Sequence, residues 1–241
     1  MYTLRYAHAS VLQEIQSWPA GMRADFARSS ELLMELGPQL RVPHAYAIGA
    51  GLFELPVGGR EGDGHVLYGR MDDEIMVLDA FRGPARARHG SPQTTKALRR
   101  MAKARRAARE QGSGSGRGSG RGSGRGRTDF EYAPVVHDHA AFLAQGAEQA
   151  GFEAAYAALE EGHLIARELV AARVRAGLTQ AEVANRMGTS VSFVSRLEAA
   201  AGRPSPTLGT LRKYANALGC ELRISLVDCA PVDVERPAPR P

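Results

Sequence analysis

The sequence predicts an α+β unit followed by an all-α unit that closes with a short strand. Three observations carry this prediction. Residues 2–109 read as strand, two helices, three strands and a helix. Residues 163–218 hold four successive amphipathic helical patterns. Between the two lies "GSGSGRGSGRGSGRGR" (112–127), built only of Gly, Ser and Arg, with no apolar side chain to bury. The predicted divisions are 1–111, the spacer 112–127, an acidic stretch 128–162, 163–228, and a Pro-rich tail 229–241.

In the first unit, Tyr2, Leu4 and Tyr6 alternate as a strand does. "SVLQEIQSW" and "GMRADFARSSELLMELG" follow as helices, the first stopped by Pro19 and the second by Gly37. Three β-rich runs come next, 51–57, 64–71 and 74–81, with Asp72-Asp73 as a tight turn. They predict an antiparallel sheet with Met71, Met76 and Phe81 in its core. Ser91 as N-cap and Pro92 at the first helical position start a basic helix. The order gives an α+β domain of about a hundred residues.

Charge is distributed in blocks. Residues 81–127 hold fourteen Lys/Arg against Glu110 alone, a local net of +13. Residues 128–170 carry a net of −7, and residues 171–227 a net of +5. Two basic blocks point to nucleic acid, and the acidic one to a cover for a basic neighbour. No run of about 18 apolar residues suggests a membrane span. The N-terminus has no basic, then apolar, leader pattern, so a cytoplasmic protein is expected. Cys220 and Cys229 read as reduced thiols, and neither a metal site nor a cofactor is signalled.

In the second unit, "HLIARELVAARVRAG" (163–177) places Leu164, Ile165, Leu169, Val170, Ala172 and Val174 on one helical face. "GLTQAEVANRMGTSVSFVSRLE" (177–198) gives two short helices broken at Gly188, where a positive φ is tolerated. Thr179 with Glu182 forms a capping box, and Ser190 caps the second helix. A fourth helix puts Leu208, Leu211, Tyr214, Ala215 and Leu218 inward, and "CELRISLV" (220–227) alternates as a half-buried strand. Two short helices about a Gly-containing turn make a helix-turn-helix, whose second helix enters the DNA major groove.

Thr179-Gln180, Gly188, Ser190 and Val194-Ser195-Arg196-Leu197-Glu198 carry a resemblance. Residues 152–227 look like an XRE-type (Cro/repressor-like) helix-turn-helix domain of the HigA antitoxin kind. The resemblance implies that Val191, Ser192 and Ser195 read base edges, and that Gln180 and Arg196 hold phosphates near the caps Thr179 and Ser190. It also implies a homodimer on operator DNA. Val191 stands where many relatives carry Gln; it can meet a thymine methyl but cannot make paired hydrogen bonds to a purine.

"WPAGMRADF", "ELGPQLRVPHAYAIGAGLFEL", "GHVLYG", "VLDAF" and "SPQTTKALRRMAK" resemble the RelE-like toxins, specifically the HigB-type group, over residues 2–106. Members cut mRNA on the ribosome, which needs cations around a pentavalent phosphate and a proton-transfer group. Where relatives usually carry Arg, this chain has Pro56 and His65; in place of their paired Lys it has Arg82, Arg86 and Arg88. The resemblance thus implies His65 for proton transfer, the three arginines as clamps, and a weak ribonuclease at most. The basic run 96–109 is expected to face RNA or rRNA.

A toxin-like unit followed by an antitoxin-like unit explains the spacer. Sixteen Gly-rich residues span roughly 20–24 Å and keep two partners at roughly millimolar effective concentration. The acidic stretch is expected to lie on the basic toxin-like surface, anchored by Phe130, Tyr132, Phe142 and Phe152. Three readings fit: a fused toxin–antitoxin module neutralised by its own C-terminal half, a transcriptional regulator with a dead toxin relic, or a regulator whose N-terminal unit serves only as a ligand- or protein-binding module.

Overall fold

The computed structural model describes residues 1–40, 42–71, 73–84, 86–112, 132–199 and 206–225. The spacer beyond Gly112, Phe130, Asp72, Cys229 and the Pro-rich tail lie outside these residues. The elements in chain order begin with β1 (Thr3–Tyr6), α1 (Ala9–Gln16) and α2 (Ala20–Leu36). The strands β2 (Tyr46–Gly49), β3 (Leu52–Gly59), β4 (Gly62–Met71) and β5 (Glu74–Arg82) follow, then α3 (Pro92–Gly112). After the spacer come β6 (Val135–Val136), α4 (His139–Ala147), α5 (Phe152–Arg175), α6 (Gln180–Met187), α7 (Val191–Leu197) and α8 (Leu208–Leu218).

The six strands form one sheet in the order β2-β3-β4-β5-β1-β6. It is mixed rather than antiparallel, because β1 runs parallel to β5. The reason is the path of the chain. After β1 it crosses one face of the sheet through α1 and α2, begins again at the far edge with β2, and folds back strand by strand to β1. A parallel pair requires such a long crossover. Sequence periodicity missed β2 and β6. β2 is a four-residue edge strand of half-buried and exposed residues, and β6 is only two residues long.

The two faces of the sheet bury different things. On one face, Leu4, Tyr6, Leu55, Val57, Val66, Ile75 and Val77 pack against Ile15 of α1, Trp18 of the α1–α2 link, and Met22, Phe26 and Leu33 of α2. Phe142 of α4 and Phe152, Val170 and Ala171 of α5 complete that core. On the other face, Leu52, Leu67, Met76 and Leu78 meet Ala97 and Met101 of α3. Met71 and Phe81 are partly buried there, beside fully buried Met76. Ser91 caps α3 as expected, its Oγ accepting from the Thr94 amide at 3.3 Å.

The acidic stretch therefore docks in an unexpected place. Its α4 and the first half of α5 lie on α2, across the sheet from the basic run on α3. Apolar anchors decide this: Phe142 and Phe152 are almost completely buried. Charge assists locally, since Arg28 of α2 approaches Glu160 at 3.8 Å and Glu35 of α2 pairs with Arg167 at 2.6 Å. Of the anchors, Tyr132 packs into the α3-side cluster. The expected boundary at 162/163 falls within the single helix α5.

A polar chain runs through the docked layer. The Tyr6 hydroxyl donates to His137 Nδ1 (2.6 Å), His137 Nε2 to His139 Nδ1 (3.2 Å), and His139 Nε2 to Glu31 (2.9 Å). Tyr156 donates to the same carboxylate. Burial pushes the Glu31 carboxyl up, but these bonds and nearby Arg28 outweigh it and hold it at about 2. Burial lowers His137 and His163 to about 4 each.

A third core closes the C-terminal helices: Leu169, Val183, Ala184, Val194, Tyr214, Ala217 and Leu218. Leu164 and Leu208, expected inward, are 46% and 57% exposed. The expected strand at 220–227 is absent from residues 220–225, which make no sheet pairing, and Ile224 is 62% exposed. Alternation alone does not make a strand where no edge receives it.

Candidate nucleic-acid interface

Local chemistry sets the α6–α7 geometry. Thr179 Oγ1 accepts from the Glu182 amide, and Glu182 reaches back to the Thr179 amide at 2.7 Å, completing the capping box. Gly188 ends α6 with φ 64°, ψ 41°, a left-handed position that glycine adopts without a Cβ clash. Two residues later Ser190 Oγ accepts from the Phe193 amide at 3.1 Å and starts α7. The short turn lets Val194 pack fully into the core beside Val183 and Ala184.

Beneath the pair lies a buried ionic hub that the sequence reading did not assign. Arg173 at the end of α5 makes a two-pronged contact with Glu198: Nε to Oε1 at 2.7 Å and Nη2 to Oε2 at 2.9 Å. Glu198 is fully buried, and the Tyr214 hydroxyl donates to it at 2.6 Å. Burial works against the Arg173 charge, but its bonds to Glu198 more than offset this and raise its pKa. Arg173 was detectable as one basic residue within an otherwise apolar helical face.

The N-terminal part of α7 faces outward. Val191 is 47% exposed, Ser192 and Arg196 are exposed, and Ser195 is half-buried. Gln180 departs from its expected role. Its Nε2 donates to Glu198 Oε2 (2.9 Å) and to the Val42 carbonyl of the N-terminal unit (2.6 Å), so both amide hydrogens are engaged. In this arrangement the Gln180 side chain has no donor left for a phosphate.

Residues 169–224 match the helix-turn-helix family. The chain is also similar to Antitoxin HigA1 of Mycobacterium tuberculosis, in strains CDC 1551 / Oshkosh and ATCC 25618 / H37Rv. It is 37% identical to each over 95 residues, which is 39% of this chain and 62% of the relative. The chain thus spans less than two thirds of the length of these relatives. No solved structure matches it. The helix-turn-helix match covers the residues that build α6, α7 and α8, together with the end of α5.

The candidate residues of the N-terminal unit divide between the faces: His65 lies on the α3 side, while Arg82 pairs with Gly64, whose open side meets Trp18 and Met22, and so points to the α2 side. Along β3, β4 and β5 the neighbours Leu55, Val66 and Ala80 point into the α2-side core, which sends Glu54, His65, Phe81 and Asp79 to the opposite face. His65 is buried. Its Nδ1 contacts Glu54 Oε1 at 2.7 Å, its Nε2 contacts the Gly83 carbonyl at 2.8 Å, and its ring stacks on Phe81. Both partners are acceptors, so the ring is best satisfied as an imidazolium donating twice; the Glu54 bond raises its pKa. With both nitrogens held inside the sheet, His65 bridges strands and does not present a proton-transfer atom to a substrate.

The arginines are placed differently. Arg82 is exposed at the end of β5, with Nη2 3.4 Å from the Glu61 carbonyl. Arg86 lies 3.5 Å over the Tyr46 ring, and Arg88 is exposed in the same loop. Beyond them, Arg99, Lys103, Arg105 and Arg109 are exposed along α3. Arg100 instead turns inward to Asp79 at 2.8 Å, joined by Lys96 at 2.9 Å. The docked α4 and α5 leave the cations along α3 uncovered. Among the described residues no group of His, Cys, Asp and Glu is arranged to hold a metal, and no helix is long and apolar enough to cross a membrane.

Proposed function

We propose that this chain is a DNA-binding regulator of the antitoxin type that carries its own RelE-like, ribonuclease-type unit in an attenuated state. The observation that carries the reading is the outward face of α7: Val191, Ser192 and Arg196 exposed on a capped helix whose other side is locked into a core. A helix held in this way can enter a major groove without losing its packing. Similarity to antitoxins and the helix-turn-helix match support it. The operator would be palindromic and bound by a homodimer, with half-sites about one helical turn apart. The proposed base-edge residues are Val191, Ser192 and Ser195, with Arg196 on phosphate.

In the N-terminal unit, Arg82, Arg86 and Arg88 are the proposed phosphate-facing cations for ribosome-bound mRNA. Attenuation follows from Pro56 in place of a cation and from a His65 whose nitrogens are both engaged. Losing one charge-stabilising donor typically costs about 10²–10³ in rate. Residues 132–175 would hold this unit by its α2 face and leave the cations open.

The test is a selection of duplexes from a randomised library by the full chain, followed by gel shifts. Arg196→Ala should weaken all selected duplexes alike, and Val191→Gln should change the selected sequence. Failure to retain any duplex across a low-salt range would refute the DNA half of the reading.

A further inference from the structure

The N-terminal unit touches the α6–α7 pair at the start of α6 and at the end of α7. Gln180, the first residue of α6, gives one amide hydrogen to the Val42 carbonyl at 2.6 Å. At the other end, His44 Nε2 lies 2.6 Å from the carbonyl of Glu198, the residue that caps α7. Glu198 cannot donate there, so His44 is the donor; burial lowers its pKa, and the bond to this carbonyl offsets part of that. Tyr2, Gln39, Val42 and Arg70 form one wall of the groove at this junction, and Leu178, Thr179, Gln180 and Ala181 form the other.

This contact is built on a rigid support. Val170, Ala171 and Val174 of α5 pack into the sheet-side core, while Leu169, Ile165 and Ala172 of the same turns pack into the helix-turn-helix core. Neighbouring residues of one helix thus serve two cores, which fixes where loop 42–44 meets α6. In the docking geometry of helix-turn-helix pairs, the first helix crosses the sugar-phosphate backbone while the second enters the groove. Of the two ends of α6, the N-terminus carries the free amides and the positive end of the helix dipole that suit phosphate, and it is the end that the loop occupies.

We propose that loop 42–44 is an autoinhibitory latch that competes with the DNA backbone for the start of α6. This rests on the DNA-binding reading above. In the closed arrangement both hydrogens of the Gln180 side-chain amide are engaged, so its turn towards phosphate requires release of Val42. The N-terminal unit then does more than ride on the regulator: its docking lowers DNA affinity, and DNA in turn loosens its loop.

The experiment compares the full chain with His44→Ala by fluorescence anisotropy on one 30-base-pair duplex of random sequence at low salt. His44 lies outside the proposed DNA-reading face, so its loss removes a bond of the closed state alone. One neutral hydrogen bond corresponds to roughly fivefold tighter DNA binding by the variant. Linkage is reciprocal, so saturating DNA should speed amide exchange at residues 44–46 of the unmodified chain by a similar factor. If both proteins bind equally and DNA leaves that exchange unchanged, the latch is overturned while the DNA reading stands. If neither binds the duplex, the DNA reading itself fails and the latch goes with it. Should His44→Ala lose its melting transition, exchange on the unmodified chain decides alone.

Discussion

The two faces of one sheet are treated in opposite ways. The α2 face lies under two further layers, with Phe26, Phe142 and His137 in ring contact and Trp18 fully buried. Among the described residues the α3 face carries a single helix, joined by small and flexible side chains such as Ala97 and Met101 and pinned by the Asp79 pair with Arg100 and Lys96. Charge would suggest that the acidic stretch belongs on the basic α3 face. Apolar area sends it to the α2 face, because burying an aromatic side chain is worth about 1.5–3 kcal/mol and an exposed ion pair about 0–1. The cations along α3 are thereby left exposed among the described residues.

The sharpest way to break this asymmetry is to remove the anchor. Phe142→Ala in the full chain should cost about 3–5 kcal/mol, the range for a buried Phe whose cavity cannot collapse. It should also detach α4 from α2, read as faster amide exchange across both helices while α3 is unaffected. Equal exchange on the two faces would mean that the docking does not depend on this anchor.

Acid should act on the same face by a different route. The folded-state pKa values of His137 and His163 are depressed to about 4 by burial, below the ordinary 6.5. Groups depressed in this way lose stability as pH falls, beginning near 6.5 and ending near 4, about 3 kcal/mol for each histidine. Asp25 of α2 opposes them. Burial raises its carboxyl to about 6 while the Gly58 amide, 2.7 Å away, pulls it down, so its protonated form is favoured over part of the same range. The net loss should approach that of one histidine, and Asp25→Asn should steepen it. On the α3 side His65 has the contrary sign: its raised pKa means its contribution is complete below 6.5 and is lost as pH rises through the folded value. Urea midpoints from pH 4 to 8 would read both trends, and a flat profile would count against these histidine assignments.

What the sequence could reveal follows the range of the interactions involved. The α6–α7 pair was legible because its signals are local: Thr179 with Glu182, Gly188, and Ser190 with Phe193 act within a few residues. The Ser91-Pro92 start of α3 was legible for the same reason. The parallel β1–β5 pairing, the Arg173–Glu198 hub and the docking of Phe142 on α2 were not, because each joins residues far apart in the chain. His65 misled for a related reason: its residue type suited proton transfer, while Glu54 and Gly83, which occupy it, lie 11 and 18 positions away. Gln180 likewise looked free until Val42 was placed beside it.

The smallest expected effect on stability concerns the open face. Arg99 and Lys103 are exposed on α3, in the groove shared with Lys96 and Arg106. Truncating either to Ala should change stability by no more than about 0.5 kcal/mol, as for surface positions generally. The same substitutions should matter for RNA. Each lost phosphate contact to a single strand should lower the slope of log affinity against log salt by about 0.7. A 20-nucleotide single-stranded RNA titrated into the full chain at several salt concentrations reads this directly, and the RNA should be recovered uncut. Phe142→Ala, with its large effect on folding, should leave that slope alone at temperatures where the variant is folded. The contrast between the faces would collapse if Arg99→Ala and Lys103→Ala kept the full slope, since the basic helix would then carry charge without meeting nucleic acid.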